Sequence, residues 1–182
     1  MARFFHARHG KTHCPGGSDP IPCLSPHFWR GRIEAGVTLP DGNEETFAWT
    51  EFETSSDVIF TTSGATPSAV FLETPGSYAV SAWWDPAPNF NDGDIYWIAI
   101  NDLWDSADTL YQDRASWAQL GDTIGLSWIR SYPPIGETVA PGAHKGRIQV
   151  DAGQSSGGVV TAYPHLEITF LGPMPDIVSS SP

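Results

Sequence analysis

The sequence is short of basic residues, of sulfur and of long apolar runs. Nine Lys and Arg stand against twenty-one Asp and Glu, a formal charge of −12 at pH 7. Such an acidic chain is not expected to take nucleic acid as its main partner, because phosphates need a basic face. Two Cys in 182 residues exclude a scaffold held together by many disulfides. No stretch approaches the ~20 apolar residues that span a bilayer, so no membrane insertion is expected. The opening MARFFHARHGK has no apolar run of signal-peptide length, and Sec export is not expected either. Helical periodicity is nearly missing. The one candidate, Ser106–Leu120, reads better as a long loop between strands.

What the chain does have is aromatic residues and punctuation. Eight Trp, nine Phe and five Tyr accompany 18 Gly and 16 Pro, and the Gly and Pro interrupt short apolar runs about every ten residues. That rhythm belongs to all-β folds. Tyr78–Trp84 alternates, with Tyr78, Val80, Ala82 and Trp84 on one face. Thr123–Ile129 turns Ile124, Leu126 and Trp128 inward, and Tyr163–Leu171 does the same with Leu166, Ile168 and Phe170. Asp94–Asp102 is a continuous apolar run of strand length, as in a central strand covered on both faces. Ser68–Glu73 and Gly146–Val150 are further strands, and Arg32–Leu39 and Glu44–Phe52 are weaker ones. Eight to ten short strands make a β-sandwich.

Charge is distributed unevenly. Residues 1–32 hold five of the nine basic side chains (Arg3, Arg8, Lys11, Arg30, Arg32) and one acid, Asp19, whereas residues 33–182 hold four bases and twenty acids. This divides the chain into an extended basic arm at 1–32, a head at 33–172 and a tail at 173–182. Phe4, Phe5, Phe28 and Trp29 bracket Arg8 and Lys11 as apolar anchors for docking on a partner. The same segment holds His6, His9, His13, Cys14, Cys23 and His27. Three readings stay open for it: a Cys14–Cys23 disulfide, a zinc site drawing on His9, His13 and His27, or free thiols beside solvated histidines. Cys-x8-Cys is not a standard zinc spacing, and no other cofactor is expected.

Catalytic signatures are sparse. Asp85, Asp92 and Asp94 form a calcium-like cluster without the full loop pattern, so a solvated hairpin tip is the plainer reading. His144 and His165 are expected at the surface, and no nucleophile elbow is read in support of a Ser-His-Asp order. Trp104 and Trp117 are the tryptophans kept as surface contacts, to a glycan or to another subunit.

Several motifs in order carry a resemblance: Pro75, Gly76 and Tyr78 opening a strand; Asn101 closing one; Leu120, Gly121 and Asp122 in a turn; and Phe170, Leu171 and Gly172 at the end of the last strand. Over residues 55–172 the chain resembles the globular head of complement component and tumour necrosis factor-like proteins. The resemblance implies a ten-stranded jelly roll assembling as a homotrimer. The chain lacks a collagen-like stem, and similar heads occur in bacteriophage virions. The function expected is therefore a non-enzymatic virion protein, assembled in the host cytoplasm and bound to other virion proteins through residues 1–32. A minor tail protein at the tail tip, contacting the host surface through protein or glycan there, comes first. A capsid decoration protein and a carbohydrate-binding module are the alternatives.

Overall fold

The computed structural model describes residues 26–86, 95–103, 110–117, 123–133, 136, 142–155 and 157–173. All regular elements among them are strands. Chain order gives β1 (His27–Arg32), β2 (Val37–Leu39), β3 (Glu44–Thr46), β4 (Glu51–Thr54), β5 (Phe60–Thr62) and β6 (Ala69–Leu72). The longer strands follow: β7 (Gly76–Pro86), β8 (Ile95–Leu103), β9 (Leu110–Trp117), β10 (Ile124–Tyr132), β11 (Gly146–Ser155) and β12 (Val160–Gly172). Sheet A runs β10-β7-β12-β1-β4, with β2 also on β12; sheet B runs β5-β6-β11-β8-β9, with β3 also on β11. The strands pair antiparallel throughout both sheets.

β1 and β2 lie end to end on one edge of β12, at Phe170–His165 and then Ala162–Val160. β6 and β3 do the same along β11. Twelve strands thus fill ten columns, five in each sheet, and the fold is the jelly-roll sandwich that the strand pattern and the resemblance led us to expect.

Period 2 explains the core. Tyr78, Val80, Ala82 and Trp84 of β7 are all buried, and Leu166 and Ile168 of β12 lie beside them. Sheet B answers with Tyr96, Ile98 and Ile100 of β8 and with Ile148 and Val150 of β11. β8 is central, between β11 and β9, and Ala99 and Asn101 on its outer face are buried too. Trp128 packs against the core but is only partly buried. The Tyr78 ring is fully enclosed and its hydroxyl donates to the Thr74 carbonyl at 2.5 Å. Burial drives the pKa of this phenol well above its ordinary value. Gly76 is required by space: a Cβ there would run into the Phe170 ring and the Gly172 carbonyl.

Three expectations need correction. Residues 27–32 are not part of an arm. They form β1, which pairs with β12 on one side and β4 on the other. Trp29, taken as a docking anchor, is 1% exposed in the core, edge-on to Trp49 at 6.0 Å, and Phe28 is a half-buried strand residue beneath the Arg30 guanidinium. Basic residues at alternate positions hid the period of HFWRGR, in which Trp29 and Gly31 face in while Arg30 and Arg32 face out. Ser106–Leu120 is not all loop, since β9 pairs with β8 from Leu103–Leu110 to Tyr96–Trp117. Its strand identity comes from that long-range partner and not from local alternation. Finally, Glu44–Phe52 is two strands in different sheets, joined by a crossing at which Phe47 and Trp49 are buried.

Three outcomes follow for stability. Deleting residues 1–32 removes β1 and should leave an unfolded head by circular dichroism, whereas deleting 1–25 should leave the melting temperature within a few degrees; Trp29→Ala should cost about 3–5 kcal/mol in urea unfolding. The Tyr78 phenol has a higher pKa folded than unfolded, so its contribution is complete below the unfolded value near 10 and declines as pH rises past it. Stability of Tyr78→Phe should consequently fall less steeply above pH ~10, by up to about 1.4 kcal/mol per pH unit.

Candidate functional site

The outer face of sheet A is built from side chains at alternate positions that the core does not take. Register sets them in rows across the strands. One row joins Ile129 of β10, Ala79 of β7, Thr169 of β12 and Phe28 of β1. The next joins Ser127, Ser81, Glu167, Arg30 and Glu53, and a third joins Gly125, Trp83, His165, Arg32 and Glu51. The face therefore has two halves. Over β10 and the Ser77–Ser81 stretch of β7 it is made mostly of small residues, with Ile129 standing 69% exposed among them, while Trp83 lies at the other end of β7 beside His165. Over β12, β1 and β4 it carries alternating charge.

Arg30 lies 3.0 Å from Glu167 and 3.6 Å from Glu53, and Arg32 lies 2.6 Å from Glu34 and 2.7 Å from Glu51. Each guanidinium is thus shared by two carboxylates, and the Glu167 and Glu51 hydrogen bonds raise the two pKa values further. Trp83 and His165 stack in parallel, 5.1 Å between centroids and 7° between planes. Apart from Glu34, these groups line a trough of about 460 Å³ that also reaches Phe52. Three carboxylates, Glu51, Glu53 and Glu167, against two arginines leave it net acidic. The arginines counted as an arm's positive charge are thereby neutralised within the head.

The other expected site residues are dispersed. His27 sits on β1 opposite Phe170. Phe4, Phe5, Arg8, His9, Lys11, His13, Cys14 and Cys23 lie outside the described residues, as do Asp92, Asp94, Trp104, Leu120, Gly121 and Asp122. Asp85 and Trp117 are placed by backbone on β7 and β9. Among the described residues no group of three or more His, Cys, Asp or Glu is arranged to hold a metal ion. His144 is at the surface, stacked on Phe71 at 4.2 Å and 2.7 Å from Glu73. One string passed over in the sequence, Gly153–Gly157, spells Gly-x-Ser-x-Gly. Its first three residues, Gly153–Ser155, are the last three of β11 and Gly157 precedes β12, so it leads from strand to strand, whereas a nucleophile elbow needs a strand-to-helix turn. The cross-strand charge rows escaped sequence reading altogether, because Arg30, Glu53 and Glu167 meet only through long-range register.

No protein-family model matches the sequence, and no curated protein is significantly similar to it. Solved structures do match in fold. The globular domain of zebrafish complement 1qA protein superposes with a TM-score of 0.56 at 5% identity, covering 82% of this chain and 99% of that one. The vertex protein P5 of phage PRD1 superposes with a TM-score of 0.52 at 9% identity, covering 80% of this chain and 97% of that one. The fold is thus that of complement-head and tumour necrosis factor-like jelly rolls.

Because both arginines are half exposed, their ion pairs should stabilise little. Arg30→Ala should change unfolding free energy by at most about 1 kcal/mol, less at high salt, and Arg32→Ala should leave the urea midpoint essentially unchanged.

Proposed function

We propose that this chain is a non-enzymatic structural protein of a bacteriophage particle, a trimeric jelly-roll head tethered through residues 1–25. The observation that carries the reading is the outer face of sheet A, small-sided over β10 and the Ser77–Ser81 stretch of β7 with Ile129 exposed, on a fold shared with a phage vertex protein. An apolar side chain on a patch of small residues suits self-association, since three copies around an axis would remove it from water. The charged half then supplies a polar rim that fixes the register between copies.

The tether reading rests on polarity. His27 at the start of β1 pairs with Phe170 near the end of β12, so the segments before and after the head leave from the same end of the sandwich. Residues 1–25 hold three bases (Arg3, Arg8, Lys11) against one acid, Asp19, and Phe4 and Phe5 supply apolar anchors. A head held at that end presents its opposite end outward, as a minor tail protein at the tail tip would to a host surface. Capsid decoration is the second reading, favoured by the likeness to a vertex protein.

Two measurements test this. Sedimentation equilibrium should give three chains for the intact protein and one for Ile129→Glu, with the head still folded; a monomeric parent protein removes the trimer. Deleting residues 1–25 should abolish entry into particles without lowering the melting temperature, and Lys11 cross-links to tail-tip chains or to the major capsid chain decide between the two locations. Normal entry of the deleted protein would overturn the tether.

A further inference from the structure

A second cavity, of about 250 Å³, opens at the edge of the sandwich, between β4 at the margin of sheet A and β5 at the margin of sheet B. Its wall is aromatic on one side: Phe52 lies on Trp29 at 5.7 Å and 18° and keeps 40% of its surface in solvent. Large aromatic rings are seldom left so open when alternation offers a core, and here the Trp29 contact holds the ring in one orientation. The other side is polar, with Asp57, Thr62 and the hydroxyl of Thr54. One group in the cleft has unused capacity: Asp57 is exposed there and makes no hydrogen bond or ion pair among the described residues.

We propose that this edge cleft binds one neutral sugar ring, such as the terminal unit of a cell-surface glycan. A pyranose has an apolar C–H face and a rim of hydroxyls, and the cleft offers a partner for each. Phe52 takes the C–H face, and Asp57 accepts from two hydroxyls with charge-assisted strength. The volume lies below the ~300–1,000 Å³ of drug-sized pockets, which suits one ring and not a chain. Charge selects further. No Lys, Arg or His lines the cleft, so a sugar bearing carboxylate or phosphate would face Asp57 unopposed. A purely apolar ligand would strand that carboxylate out of water. The expected glycan contacts at Trp104 and Trp117 are not involved. Nor does the inference depend on the chain belonging to a virion, because the cleft would act the same way in a free carbohydrate-binding module.

Saturation-transfer NMR on the full chain tests it, with glucose, galactose and N-acetylglucosamine as probes and glucuronate as the anionic control. At least one neutral sugar should bind saturably, with a dissociation constant on the order of 1 mM. Phe52→Ala should weaken it about 10-fold or more, through loss of the stacking ring. Asp57→Asn keeps the shape, should leave melting temperature and sedimentation unchanged, and should weaken binding by about 3- to 10-fold. The proposal fails if no neutral sugar saturates, if glucuronate binds better, or if both variants bind as the parent does. It fails equally if Phe52→Ala dissociates the oligomer while no sugar binds, since the cleft would then be a seam between copies.

Discussion

Sheet A is registered against β12. This strand of 13 residues pairs with β7 along one edge and with β1 and β2 in succession along the other. Because side chains alternate with a period of two, a slip of one residue on β12 would exchange the faces of every strand paired to it. Leu166 and Ile168 face the core in the observed register, while His165, Glu167 and Thr169 face out. Those three outward residues sit at the centre of the charged and aromatic rows. Core and candidate site are therefore one constraint: the apolar residues fix the register, and the register brings Arg30 between Glu167 and Glu53.

The uneven charge of the chain takes a different meaning in this frame. Arg30 and Arg32 make the first 32 residues look like one basic segment, yet both belong to β1 and are surrounded by Glu34, Glu51, Glu53 and Glu167. In a protein with twelve more acids than bases, two cations placed among four carboxylates relieve repulsion that would otherwise concentrate on one sheet face. Exposure keeps each pair weak. Their value lies in geometry, since like charges directly opposed across strands are destabilising and these rows avoid that.

The strands legible in the sequence were those whose alternation is carried by large apolar residues. In β7, β10 and β12 most alternate residues are Val, Ile, Leu or aromatic, and the predicted inward sets match the buried ones apart from the half-covered Leu126, Trp128 and Phe170. The strands missed or misjoined have another origin. β1 spends its inward positions on Trp29 and on Gly31, whose absent side chain leaves room for the Trp29 and Trp49 rings, so it shows one apolar residue where the eye looks for three. β9 exists through pairing with β8. β3 and β4 occupy different sheets although only four residues separate them. Their boundary is a change of partner, which no local pattern reports. The motif residues Pro75, Gly76 and Tyr78 were legible as a unit, but Gly76 is needed for clearance against Phe170 and not for a turn conformation.

The candidate surfaces are separable by where they sit on the sandwich, and that separation has a physical origin. A jelly roll closes its core between two sheets, so what remains for recognition is each outer face, the margins where the sheets part, and the two ends. In the proposed assembly another copy sits on the small-sided part of sheet A, where Ser77, Ala79, Ser81 and Ser127 surround the exposed Ile129. The β4–β5 margin is a notch with an unpartnered carboxylate, Asp57, which suits a small polar ligand and offers little to a flat protein partner. The end at which His27 meets Phe170 is committed to chain entry and exit. Phe52 is the one residue common to the trough and the notch. Assembly through the charged half of sheet A would therefore press on the same ring that stacks a sugar. In that arrangement occupancy of the notch and packing of the neighbouring copy are coupled through Phe52 and Trp29, and any such coupling must act equally in both directions.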